Sequence, residues 1–224
     1  MLVFCNGMPR SGSTWSYNVI IALLRHATPD QAVHGGYDED VARFLATAGA
    51  SSSSHVILKC HKLDSVGLTL ARTGAARVIY TRRNLADAIV SLINMFGGDF
   101  ENAMAEMVSS LELYKLHRHG GNAVIIGYEE IMSSPLAAVG RIAGYLGLQV
   151  NDKAMKAVVE ENSFGRAREK VEQINQIEGA AYDAGTLLHP HHIRDGGTGY
   201  GRKVLTGEQL RRVTVLLDEY GLTE

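Results

Sequence analysis

The chain is 224 residues long, carries a formal charge of −2, and is 46% hydrophobic and 21% charged. That length buries a real core in one domain, and the composition excludes a disordered chain. The near-neutral balance argues against nucleic acid as the main partner, because phosphate backbones select a basic surplus, so any anion site must be local.

Leu2 to Asn6 is a short apolar run, read as a first strand. The opening residues have no charged leader and no long apolar stretch, which fits a core strand rather than a signal peptide. A Gly/Pro/Ser turn follows, then a helical pattern from Thr14 to about His26. His55 to Cys60 and Arg77 to Thr81 are the next strand candidates. The latter leads into a helix from Leu85 to about Phe96, with Asn84 placed as its cap. Glu101 to His117 is a longer helix, and Asp99 before it reads as a cap after the stop at Gly97–Gly98. Ala123 to Tyr128 is a fourth strand, followed by helices at Leu136 to Tyr145, Asp152 to Glu161 and Gly207 to Tyr220. Residues 162–203 are less regular and long for a connection, so they are expected to act as a lid or to be mobile.

Apolar strands alternating with helices predict an α/β fold of three layers, α/β/α, with a central parallel sheet in a single domain over residues 1–224. Ligands of such sheets bind beyond the carboxyl ends of the strands. No window reaches the roughly 20 apolar residues of a membrane helix. Cys5 and Cys60 each sit in apolar runs and read as buried thiols, which fits a reducing compartment. The expectation is a soluble, cytoplasmic protein without a membrane partner.

Gly7 to Thr14 reads GMPRSGST, with the G-x-x-x-x-G spacing of a phosphate loop between a strand and a helix. Small residues let the backbone approach an anion, and the helix N-terminus adds positive potential. Ser13 and Thr14 add hydroxyls. The triphosphatase version carries Lys where this chain has Ser13, and its fixed cation is instead Arg10. The loop alone indicates a phosphate without saying which one. Trp15, the sole tryptophan, is either a core residue or a surface on which a purine stacks.

Arg82 and Arg83 end a strand, and Ser91 follows Arg83 by eight residues. Paired arginines there either clamp an anion or are merely solvated. Beside the first loop they offer a second anion site, and a nucleotide phosphorylated on both sides of its ribose would use both.

Assembled, these residues resemble the soluble branch of the sulfotransferases that use 3′-phosphoadenosine 5′-phosphosulfate (PAPS). Pro9 to Trp15, with Arg10, Ser11, Gly12, Ser13 and Thr14, is similar to the family's 5′-phosphosulfate loop P-K-S-G-T-T-W. Arg83 and Ser91 match the pair that holds the 3′-phosphate. Tyr128-Glu129-Glu130 resembles Y-E-D, and Asn162-Ser163-Phe164 resembles T-S-F; the resemblance puts Tyr128 and Phe164 near the adenine. Arg194 to Gly199, including Gly196, resembles the late 3′-phosphate loop R-K-G-x-x-G, with Asp195 in place of its Lys and Gly201 in place of a following Trp. The matches run in family order over almost the whole chain. The resemblance implies a P-loop-type domain with 162–203 as the region that closes on the cofactor and covers the acceptor.

Lys59-Cys60-His61 is similar to the family's K-T-H, which implies His61 as general base and Lys59 as auxiliary cation. Residues i and i+2 of a strand share a face, and imidazole is the one side chain that ordinarily titrates near neutrality. The expected reaction is in-line sulfuryl transfer to a hydroxyl or amine of a small acceptor, with Arg10 and Lys59 stabilising charge and no metal. A nucleotide kinase, or a module that only binds 3′,5′-phosphorylated adenosine, are the competing readings. His189, His191 and His192 read as a surface loop rather than a metal site, because no fixed carboxylate or thiol joins them.

Overall fold

Strands buried on both faces need no alternation of apolar and polar residues, and the computed structural model shows why these runs lack it. It describes residues 1–49, 53–177, 182–190 and 197–222. Five parallel strands, β1 (Leu2–Gly7), β2 (Ala32–Tyr37), β3 (Ser54–Cys60), β4 (Arg77–Arg82) and β5 (Ala123–Gly127), form one sheet in the order β2-β3-β1-β4-β5. Val3, Phe4 and Cys5 of the central strand are all 0% exposed, so both of its faces are covered.

The helices are α1 (Ser13–Ala27), α2 (Val41–Thr47), α3 (Ser65–Arg72), α4 (Leu85–Phe96), α5 (Phe100–Gly120) and α6 (Tyr128–Ser133), then α7 (Pro135–Leu146), α8 (Asp152–Glu161), α9 (Phe164–Asn175), α10 (Gly201–Val204) and α11 (Gly207–Glu219). Val3 and Cys5 pack in one cluster with residues of α1, α7 and α8. Phe4, Leu58 and Val78 face the other way, onto Val41 before α2's first turn closes and onto Ala71 of α3. Tyr80 meets Tyr114 and His117 of α5 on that same side. Residues of α4, α5 and α11 share a further cluster. The result is the expected three-layer α/β/α arrangement.

Asn84 and Asp99 cap α4 and α5 as the sequence indicated, accepting from the backbone N–H of Asp87 and Asn102. Cys5 and Cys60 are free and buried. Several elements depart from the sequence reading, among them the short helices α2, α3, α6 and α10, which it did not contain. Strand β2 was not expected, and α9 is a regular helix inside the stretch expected to be irregular. Among the described residues no helix is long and apolar enough to cross a membrane.

Candidate active site

The sheet order sets where a ligand sits. From β1 the chain runs outward to the edge strand β2 and inward to β3 on one side, then crosses to β4 on the other, so the carboxyl end of β1 is the switch point of the sheet. Gly7 pairs with Thr81 so closely that a Cβ on it would fall 2.2 Å from Thr81 Oγ1. Met8 N–H donates to Thr81 O (3.0 Å), and Ser11 Oγ lies 2.6 Å from Met8 O and 2.7 Å from Thr81 Oγ1. The turn after β1 is thereby stitched to the end of β4.

Arg10 and Gly12 in that turn both have left-handed backbone, φ 64° and φ 94°. Glycine adopts this freely, whereas an arginine there costs about 1–2 kcal/mol and persists only where its surroundings hold it. Two bonds do so. Arg10 Nε donates to Ser91 Oγ at 3.0 Å, and Arg10 O accepts from Arg83 Nη1 at 3.3 Å. No side chain caps α1, whose N-cap is Gly12 and whose first turn holds no acidic residue. The opening N–H groups of a 15-residue helix are thus available to an anion.

Arg83, with a side chain 10% exposed, lies over the Tyr128 ring at 4.2 Å. Its Nη2 donates to Gly197 O at 2.8 Å, and its buried Nε has no acceptor among the described residues. Burial pushes the Tyr128 phenol up, and the Arg83 and Arg10 charges partly oppose that.

At the end of β3, Lys59 Nζ stands 3.3 Å from His61 Nε2. His61 Nδ1 is 2.7 Å from Gly7 O, and since a carbonyl only accepts, Nδ1 carries the proton and Nε2 presents its lone pair. Burial first, then the neighbouring Lys59 charge, lowers His61 to about 3, although the ring keeps part of its surface open to the cleft. Burial lowers Lys59 to about 8, with Glu39 pulling the other way. The Tyr37 ring lies beneath Lys59 Nζ at 4.7 Å. Its hydroxyl donates to Glu39 at 2.6 Å, and Glu39 also accepts from the N–H groups of His61 (3.1 Å) and Lys62 (2.7 Å).

These strand ends and turns open onto one cleft of about 1080 Å³. Arg10, Gly12, Ser13, Thr14, Trp15, Lys59, His61, Arg83, Ser91, Tyr128 and Phe164 are brought together in it. Trp15 packs against the core and also faces the cleft. Ser11 does not line it: its hydroxyl is spent inside the turn, which leaves only its backbone for a ligand. Arg194 and Gly196 lie outside the described residues, as do His191 and His192. Sequence reasoning did not single out Glu39, Asp87 or Tyr37. Tyr37 pairs in register with Lys59 through the β2–β3 ladder, and that is what places it at the site.

A parallel sheet with an uncapped Gly/Ser-rich turn at its switch point and a second arginine site beside it defines an α/β domain of the P-loop type. The family model described as the sulfotransferase domain matches residues 2–219, and the chain belongs to that family. It is similar to human sulfotransferase 2B1, 26% identical over 239 aligned residues, covering 97% of this chain and 63% of that protein's length. Among solved structures it resembles mouse sulfotransferase SULT7A1 complexed with PAP, at TM-score 0.70 and 18% identity over 98% of this chain and 83% of that one. It also resembles retinol dehydratase in complex with androsterone and inactive cofactor PAP, at TM-score 0.67 and 16% identity over 97% of this chain and 80% of that one.

Proposed function

We propose that the chain moves the sulfuryl group of PAPS to a hydroxyl or amine of a small acceptor. The observation that carries this reading is the 3.0 Å bond from Arg10 Nε to Ser91 Oγ, which joins two arginine-bearing anion sites in one cleft beside Lys59 and His61. A donor phosphorylated on both sides of its ribose fits that pairing. Its 5′ end would take the turn from Arg10 to Thr14, and its 3′-phosphate would take Arg83 and Ser91. Trp15, Tyr128 and Phe164 supply aromatic surface for the adenine. Family membership supports the reading, as do two relatives described with PAP. Androsterone and retinol, held by retinol dehydratase, are both alcohols of the size this cleft admits.

In the proposed reaction the acceptor oxygen or nitrogen bonds to sulfur while the bond from sulfur to the bridging oxygen breaks. The acceptor proton passes to His61 Nε2, and the electron pair leaves with the 3′,5′-diphosphate. Gly7 O fixes the tautomer that frees Nε2. In the unliganded protein Lys59 points a donor at that lone pair. A polyanionic donor draws the ammonium toward itself, uncovers Nε2 and raises the proton affinity of both groups. Arg10, Lys59 and the first-turn N–H groups of α1 stabilise the developing charge, and no step is routed through a metal.

Calorimetry with PAP, ATP and AMP, without magnesium, tests the reading. Preference for PAP that disappears in Arg83→Ala supports it. ATP binding as well as PAP would return the kinase reading, and PAP binding without sulfuryl transfer to a panel of phenols, alcohols and amines would leave a binding module.

A further inference from the structure

Asp87 occupies the first turn of α4 and is 2% exposed. Its carboxylate is directed at a segment more than a hundred residues later. Oδ2 accepts from Gly199 N–H at 2.7 Å, and Oδ1 accepts from Gly201 N–H at 2.6 Å. Oδ2 is also 4.0 Å from Arg83 Nη2. The segment lies flush on α4, since a Cβ on Gly201 would come within 2.2 Å of the Ala86 carbonyl carbon and 2.6 Å of Asp87 N. Gly197 O, at the near end of the segment, accepts from Arg83.

The two N–H donors reach different oxygens of Asp87, one each. An asparagine would present an NH2 group to one of them, so the carboxylate is a chemical requirement of this contact. The same group faces the Arg83 guanidinium, whose Nη1 is already held by Arg10 O and whose Nε alone has no partner among the described residues.

We propose that Asp87 is a positioning residue that clips residues 197–201 onto α4 and Arg83 before nucleotide arrives, so that one wall of the 3′-phosphate end is prebuilt. The nucleotide part of this rests on the reading above that Arg83 and Ser91 take the 3′-phosphate. Preorganisation of this kind raises affinity by removing the ordering cost from the binding step. Gly201 stands where the resemblance puts a Trp after the family's late loop, and its lack of a side chain permits contact this close.

Amide hydrogen exchange on the unliganded wild-type chain reads the clip directly. Protection at Gly199 and Gly201 is expected, and exchange at the rate of a free chain would overturn the proposal whatever any variant does. In Asp87→Asn those two amides should exchange at least about tenfold faster while β4 stays protected; unchanged exchange would also overturn it. The second readout is nucleotide affinity of Asp87→Asn. PAP binding should weaken about tenfold to a hundredfold and AMP binding less than about threefold. Equal losses for both would mean a structural role only and would refute positioning. A wild-type chain with no preference for PAP over AMP would instead refute the nucleotide reading, and the exchange result would still decide whether the clip exists.

Discussion

Raising the pH above 8 should make PAPS binding take up a proton, and Lys59 should be the group that takes it. Lys59 is 6% exposed, and its burial lowers the ammonium from 10.5 to about 8, a gap of about 3 kcal/mol. At pH 9 only about a tenth of the free protein keeps that proton. An anion placed beside Lys59 favours the charged form, so binding at pH 9 should take up as much as about 0.9 proton, and affinity should fall toward tenfold per pH unit above about 8. The neighbours are silent in this range. His61, lowered to about 3, stays neutral, while Cys60, pushed up to about 12, and Tyr37, raised further by burial and by Glu39, keep their protons. The second ionisation of a phosphate monoester lies near 6 and is complete. Calorimetry at pH 9 in two buffers of different ionisation heat measures the uptake. In Lys59→Arg both the uptake and the pH dependence should vanish, because the guanidinium never loses its charge. Uptake below about 0.2 proton, or equal uptake in Lys59→Arg, would refute the placement of Lys59 beside the donor.

His61→Asn should lower kcat by about 10²–10⁴-fold and leave PAP affinity within about threefold, measured by initial rates and calorimetry. Acid should destabilise the fold through His117, which is buried and lowered to about 4 by that burial. Between its unfolded value near 6.5 and about 4 the unfolded chain binds a proton that the folded chain refuses, so urea denaturation at pH 5 should show about 2 kcal/mol less stability than at pH 7, an effect that His117→Gln removes. His61 adds to the same trend by less, since its ring opens partly onto the cleft. Gly201→Ala should cost about 1–3 kcal/mol in urea denaturation, because its Cβ would meet α4 backbone rather than a side chain able to move.

Much of this architecture was legible because the signals are local. The continuous apolar runs of β1, β3 and β4 are satisfied by burial on both faces, and Asn84 and Asp99 declare their helix starts by residue type. Strand β2 was illegible for the opposite reason. Its AVHGGY holds two glycines that a strand ordinarily disfavours. Both are demanded from outside the segment: a Cβ on Gly35 would fall 2.3 Å from the Tyr17 hydroxyl, and one on Gly36 would fall 2.8 Å from the Phe44 ring. Tertiary packing selected the residues that local propensity speaks against. The helix α9 was hidden similarly, with Val171 and Ile174 as its only buried side chains and a face that is otherwise polar.

The candidate site divides along the same line. Arg10 to Trp15, Lys59, His61, Arg83 and Ser91 could be read from the sequence because each stands at a strand end or within the first two turns of the helix that follows, where the chain announces its own geometry. Glu39 and Asp87 act on other segments. Glu39 holds the backbone of His61 and Lys62 from 22 and 23 residues away, and Asp87 holds Gly199 and Gly201 from 112 and 114 away. A carboxylate in DED or LADA reads as a solvated charge or a first-turn helix acid until register brings an N–H pair to it. The groups proposed to touch a ligand are therefore set by local sequence, and the groups that hold them still are set by topology. For that reason substitution at Glu39 or Asp87 should alter geometry and affinity without removing any group that the proposed reaction consumes.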